Sequence, residues 1–325
     1  MTPVELSRTV LHAVRRAVDE GELSVTVPER VVVTEPGPGG CGDYATSIAL
    51  QLARPAGTSA QRVAEILRPH LVTTHGIRDV VVTGPGFLNI SLDGDPSDLA
   101  TSLVREIRAA GPAYGHGQAL AGQVVVLRVP YEARAEAIAD AVVRILATQG
   151  GRGEVEHGEP VTLRPVPAPE DPAPLGADAA QWALLYPAAH DRPRVTADHL
   201  VQREGNPLFR VRYAHARVRS AGRNAGRLGF AAEPGPVAGE QRLLSALADH
   251  PRMLTAAATH RAPDRLARHL VTVADAVLPF VPTVLPCGEE KPSAAHRARL
   301  ALAEAAGTVL AGGLSLLGID APEHL

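Results

Sequence analysis

The residues best equipped for chemistry are arginines on one helix. "NPLFRVRYAHARVRSAGRNAGR" spans residues 206–227. Wound at ~100° per residue, it puts Val211, Ala214, Val218, Ala221 and Ala225 on one face. Arg212, Arg219, Arg223 and Arg227 fall in a stripe nearly opposite, with Arg210, Tyr213 and Arg217 on the flank. A row of guanidinium groups can follow phosphates, and a flanking Tyr can stack on an unpaired base. A charged stripe is more commonly a plain solvated face.

A second stretch has the frame of nucleotide chemistry without its groups. "VVVLRVPYEARAEAIADAVVRILATQG", residues 124–150, reads as an apolar strand over 124–129, a Pro and a polar turn, then a helix carrying Ile138, Val142 and Ile145. The turn offers no Gly, Ser or His to hold phosphates. "GPGGCG" at 37–42 lacks the following Lys of a phosphate loop. His12, His75, His215, His260, His269 and His296 show no metal-ligand spacing, and no GxSxG elbow occurs. No metal, no cofactor and no catalytic residue is expected. In "GPGFLNISL" strand alternation sends Leu88, Ile90 and Leu92 to the core and turns Phe87 and Asn89 to the other face, open to solvent or covered by a neighbouring helix.

These groups need elements to hold them. A chain of 325 residues with 45% apolar content predicts about two domains with real cores, filled by Leu, Val and Ala because aromatics are only 3%. The net charge of −3 argues against a bulk nucleic-acid binder, yet residues 205–325 alone are net positive, by 4. Cys41 and Cys287 are single and distant, which predicts no disulfide framework. No apolar run approaches ~20 residues, so no membrane span is expected and the cytoplasm is the default. The N-terminal stretch reads as an amphipathic helix over 1–20, followed by a short strand in "ERVVVTEP". Asp43 is placed to cap a helix carrying Ala45, Ile48 and Leu52, and further helices cover 59–71 and 97–110. Six prolines between Pro160 and Pro174 predict an extended linker. From Asn206 onward the pattern is helical, over 207–228, 240–257, 264–278 and 293–317.

Three N-terminal stretches, "GDYATSIALQLARPAG", "GPGFLNISL" and "AAGPAYG", resemble the additional N-terminal domain of bacterial arginyl-tRNA synthetases. "NPLFRVRYAHARVRS", "RLARHLVTVADAVLPF" and "RLALAEAAGTVLAGGLSLLGIDAPEHL" resemble that family's helical anticodon-binding domain, and "LGADAAQWALL" the segment leading into it. "RAEAIADAVVRILATQG" is similar to the helix that follows the family's HIGH-type signature. Counted back without a gap, the two signature histidines fall on Val129 and Glu132. "EVEHGEPVTLR" stands where the KMSK-type lysine loop belongs, and ten residues separate Gly150 from Val161, where the family holds most of its catalytic domain.

The resemblance implies an α+β chain in three parts: a small N-terminal α/β domain over 1–118, a degenerate Rossmann-type remnant with a Pro-rich linker over 119–176, and an all-α helical bundle of anticodon-binding type over 177–325. It implies a non-catalytic tRNA-binding protein without ATP or arginine activation, with arginine tRNA as the partner. The other reading is a paralogue that binds a protein, such as the full-length synthetase. Carried over by motif, Phe87 and Asn89 would touch the tRNA D-loop. Tyr213 and Arg217 would line the anticodon site, with Arg212, Arg219 and Arg223 on phosphates. Ser47, Pro282 and Leu325 depart from the family's usual Asn, aromatic stretch and Met, which loosens the implied specificity for arginine tRNA.

Overall fold

The computed structural model describes residues 3–34, 36–37, 40–92 and 96–325. The chain forms two compact units, Met1–Leu99 and Ala100–Leu325. In the first, helix α1 (Pro3–Asp19) buries Leu6, Val10, Ala13, Val14 and Ala17, the spacing of a single helical stripe. Gly21, at φ 76°, ends it, and the amides of Glu22 and Leu23 return to the carbonyl of Ala17. Strands β1 (Val33–Thr34) and β2 (Tyr44–Thr46) precede helices α2 (Ile48–Ala53) and α3 (Ala60–Val72). Strands β3 (Ile77–Thr83) and β4 (Phe87–Leu92) complete an antiparallel sheet of order β1-β2-β4-β3. Leu88, Ile90 and Leu92 enter the core as their alternation requires.

Asp43 does not cap a helix. The chain continues from it as β2, and α2 starts only after Ser47. The Asp43 amide instead donates to the Ile90 carbonyl at 2.9 Å, and its carboxylate accepts from the Leu92 amide at 2.8 Å. Pairing with β4 offers this backbone more than one extra helical turn would, and the propensity of "DYAT" yields to it.

Helix α4 (Pro96–Ala110) leads into the second unit, where strand β5 (Val124–Val129), helix α5 (Ala133–Ala147) and strand β6 (Arg152–His157) form a parallel two-stranded βαβ unit. Two strands alone are marginal in water. This pair survives because α5 buries Ile138, Val142, Ile145 and Leu146 in the same core cluster as the helices that follow. Those helices are α6 (Ala177–Leu185), α7 (Pro207–Arg227), α8 (Gln241–His260), α9 (Pro263–Val277) and α10 (Ala294–Leu316). Helix α10 is buried nearly all round, and its small residues set the spacing. A Cβ at Gly307 would lie 2.9 Å from Val218 of α7, and one at Gly313 2.4 Å from Leu270 of α9. The scarcity of aromatics is thus met by close helix approach rather than by bulk. Past α9, Pro282 sits in a single 3-10 turn, Val281–Thr283, as the sequence leads one to expect. No helix among the described residues is long and apolar enough to cross a membrane.

The Pro-rich stretch is not a free linker. The amides of Thr162 and Leu163 donate to the Arg128 carbonyl at 2.9 and 3.1 Å, and Val166 donates to Ala189 at 2.8 Å. Pro removes amide donors but leaves every carbonyl, and those carbonyls find a use described below.

Helix α8 carries Pro251, which leaves the Leu247 carbonyl without its helical donor. The hydroxyl of Tyr114 donates to that carbonyl at 3.1 Å. Tyr114 stacks on His250, which stacks on His269, at ring separations of 5.9 and 5.2 Å. Both histidines are buried, and burial pulls His250 well below the usual imidazole range and His269 down to about 4, where Asp249 partly opposes and Arg252 reinforces the shift. In the fold they are neutral; in the unfolded chain they take up protons below about pH 6.5. The unfolded state binds more protons between those limits, so stability is complete above about pH 6.5 and drains away as pH falls towards 4. His269 alone accounts for about 2 kcal/mol of loss by pH 5. Guanidinium unfolding followed by the single tryptophan, Trp182, is expected to give a lower midpoint at pH 5 than at pH 7.5, with a flatter pH dependence in His269→Phe. Parallel pH profiles for the two proteins would refute this linkage.

Candidate nucleic-acid interface

Asn206 caps α7, accepting from the amides of Leu208 and Phe209 at 3.1 and 3.4 Å and donating to the His199 and Val201 carbonyls at 2.9 Å each. The predicted apolar face is buried throughout. On the flank, Tyr213 stacks on Phe209 at 5.3 Å, and the Arg217 guanidinium lies 5.9 Å from the Tyr213 ring centre. Arg217 is exposed.

The arginine stripe is present but largely engaged within the chain. Arg212 pairs with Asp178 of α6 at 3.2 Å, and Arg210 pairs with Asp275 of α9. Segment 319–325 runs back along α7. The Nη2 and Nε of Arg219 both reach Glu323 Oε1, at 2.6 and 3.2 Å. Arg223 Nη2 donates to the Glu323 carbonyl at 3.1 Å and contacts His324 Nδ1 at 3.2 Å. Hydrogen bonding from Arg219, then its charge, hold the Glu323 carboxyl below the usual carboxylate range. His215, buried on the same helix, is pulled down by desolvation against the opposing bond between its Nδ1 and the Pro322 carbonyl, 3.0 Å. Nothing in the local pattern of 319–325 marks Glu323 as a partner, since the contact joins residues 104 apart in the chain.

In the first unit Phe87 points outward, 40% exposed, but Asn89 does not. Asn89 is 2% exposed. Its amide donates to Thr83 Oγ1 at 2.6 Å and to the Val81 carbonyl at 3.3 Å, and its carbonyl oxygen accepts from the Cys41 amide at 3.3 Å. Strand alternation assigns the face correctly. The loop before β2, through Cys41, covers that face at Asn89 and turns the side chain into a support for the loop.

Val129 is fully buried. Glu132 is the N-cap of α5: Oε1 accepts from the amides of Arg134 and Ala168 at 3.2 and 3.3 Å, and Oε2 from Ala135 at 2.9 Å. A helix N-terminus attracts anions, and here the chain's own carboxylate fills the place. Beyond it, exposed Tyr131 stacks on His157 at 4.2 Å. Arg134 is fully buried, and its guanidinium donates to five backbone carbonyls: Leu184 at 3.1, Val166 at 2.6, Asp191 at 2.8, Pro187 at 3.1 and Ala188 at 2.9 Å. Nothing in the local sequence marks this clasp, whose acceptors lie 32 to 57 residues further along the chain.

Among the described residues, the one group of three or more His, Cys, Asp or Glu side chains close enough to share an ion is Glu20, Glu22 and His70. His70 Nε2 lies 2.7 Å from Glu22 and 3.9 Å from Glu20, an imidazole–carboxylate hydrogen bond with a second acid nearby. The two carboxylates lie far apart in sequence from His70, beyond the reach of spacing arguments. Cys41 and Cys287 are both free.

The arginyl-tRNA synthetase N-terminal domain family matches residues 5–92, and the DALR anticodon-binding domain family matches residues 211–325. The chain is a relative of the arginyl-tRNA synthetases. The arginine–tRNA ligase of Frankia alni is 41% identical over 161 residues, 46% of this chain and 28% of that protein. That of Kineococcus radiotolerans is 33% identical over 241 residues, 64% of this chain and 43% of that protein. The chain therefore spans less than half the length of these relatives. The arginyl-tRNA synthetase of Thermus thermophilus superposes with a TM-score of 0.72 at 16% identity, across 100% of both chains. That of Plasmodium falciparum gives 0.68 at 9% identity, across 99% of both. These two likenesses show the shared fold: a small N-terminal α/β part and a helical bundle of DALR type.

Removing the Arg134 guanidinium strands five carbonyls. Arg134→Met is expected to destabilise the second unit by about 3 kcal/mol or more. Denaturant titration read at Trp182 checks this, and a loss below about 1 kcal/mol would show the clasp to be dispensable.

Proposed function

We propose that this chain binds tRNA without activating an amino acid. What carries the reading is the union in one chain of a DALR-type bundle and a two-stranded remnant whose helix N-terminus is capped by its own Glu132. Stabilising an adenylate transition state needs preorganised positive donors. The place where the sequence resemblance puts a signature histidine supplies a carboxylate, which repels phosphates. Binding is proposed to use the half-exposed Tyr213 ring, with Arg217 beside it, for stacking on loop bases, and Phe87 as an exposed aromatic of the first unit. Arg212, Arg219 and Arg223 serve phosphates only to the extent that their internal acids release them. Asn89 acts from behind, by fixing the loop at Cys41. Arginine tRNA is the proposed partner, in the cytoplasm.

A second reading, in which the bundle binds a protein such as the full-length synthetase, draws on the internal pairing of Arg210, Arg212, Arg219 and Arg223, which leaves less free charge for RNA. Size-exclusion with the synthetase separates the two readings: co-elution that survives nuclease supports the protein partner.

Filter binding to arginine tRNA and to a mixed tRNA pool at two salt concentrations is expected to show affinity that falls with salt. Tyr213→Ala is expected to weaken binding by about 1–3 kcal/mol. Absence of binding to either RNA at low salt would reject the tRNA reading. Pyrophosphate exchange with ATP and arginine is expected to stay at background, and exchange above background would reject the non-catalytic part.

A further inference from the structure

Helices α7 and α10 enclose a cleft of about 830 Å³. Gly222 of α7 and Gly307 and Gly312 of α10 line it, together with His215, Arg219 and Arg223 of α7. Glu323 lies at its edge, on a stretch without regular secondary structure. The only other acid of the lining, Glu304, is taken by Arg108 at 2.6 Å.

The α7 donors in this cleft outnumber what Glu323 can satisfy. Arg219 directs two N–H groups at one oxygen, Oε1, rather than one at each oxygen as in a full fork-to-fork pair. The second oxygen, Oε2, stands 3.8 Å from Arg223 Nη1, too far for a hydrogen bond, and that Nη1 is buried with no hydrogen-bond partner among the described residues. Arg223 Nη2 makes do with a carbonyl and an imidazole nitrogen. Successive phosphates of one chain present charge and acceptor oxygens at more than one point, which a single carboxylate does not, and would satisfy both arginines at once. The Glu323 side chain is 54% exposed and that of Arg219 51%, so the pair is held weakly, as surface ion pairs are.

We propose that the α7–α10 cleft is a binding site for a chain of phosphates, in which Glu323 stands as a removable placeholder. The physiological source is the backbone of the RNA, and in that respect the proposal rests on the tRNA reading above. When a phosphate displaces Glu323, segment 319–325 swings off α7 and frees the Nδ1 of His215 from the Pro322 carbonyl. The affinity measured for the intact chain is then the intrinsic affinity reduced by the fraction of molecules with the placeholder lifted.

Two probes keep the site and the function apart. Inorganic tripolyphosphate binding, by calorimetry, reports the cleft; tRNA filter binding reports the function. Glu323→Gln is expected to tighten both about three- to ten-fold, corresponding to a placeholder seated about two-thirds to nine-tenths of the time. Adding Arg219→Ala is expected to erase the gain. Asp320→Asn removes the same charge from the same segment without touching Arg219 or Arg223, and its effect must stay well below that of Glu323→Gln. Tripolyphosphate affinity that is absent, unchanged or weakened in Glu323→Gln, or raised equally by Asp320→Asn, overturns the placeholder whatever the tRNA result. Tripolyphosphate tightened as expected, with no tRNA binding by any variant, upholds the cleft and removes the tRNA reading instead.

Discussion

The organisation of the second unit depends on one buried guanidinium. Arg134 has five N–H groups and finds five carbonyl acceptors, with no carboxylate among them. Burying such a charge is costly unless every donor is satisfied, and here every donor is. The acceptors lie at the end of α6, in the turn over 187–191 and in the Pro-rich stretch at Val166. One side chain therefore fixes where α5 stands relative to the entrance of the helical bundle. A βαβ fragment too small to persist alone becomes a wall of that bundle, and a stretch poor in amide donors is held through the carbonyls it retains.

Two carboxylates then occupy two places suited to an anion. Glu132 receives three backbone amides at the start of α5, partly buried, with α5 and the loop at Ala168 built around it. Glu323 receives two N–H groups of one guanidinium, Arg219, at an exposed edge, with Arg223 bonded to its main-chain carbonyl. The first arrangement is as durable as the helix it caps. The second is held by surface charge, which salt screens. Under the proposals above, the difference in rigidity is what separates a closed anion site from one open to exchange.

The helices of this chain were legible because their signal is local. The stripe Val211, Ala214, Val218, Ala221 and Ala225 is a periodicity, and burial follows from it directly. The family was legible through motifs such as "YAHAR" and "GPGFLNISL". What escaped was non-local. Alternation placed Asn89 on the solvent face of β4, but a loop some fifty residues earlier lies over it. Asp43 had the residue type of a helix cap, but the partner that claims it is Leu92. The arginine stripe looked free because the acids that engage it, Asp178, Asp275 and Glu323, sit on other elements. Side-chain charge shows in a sequence; its neutralisation by distant partners does not.

The Arg134 clasp also bears on the order in which the unit assembles. Its acceptors are 32 to 57 residues away along the chain, so none is in place when α5 first forms. Desolvating the guanidinium before all five carbonyls have gathered would leave buried donors unpaired, which makes the clasp a late event on the folding path. Interactions absent from the transition state act on the rate of opening more than on the rate of closing. The residue that joins remnant to bundle therefore sets how long the native state lasts once formed, and has little influence on how fast it is reached.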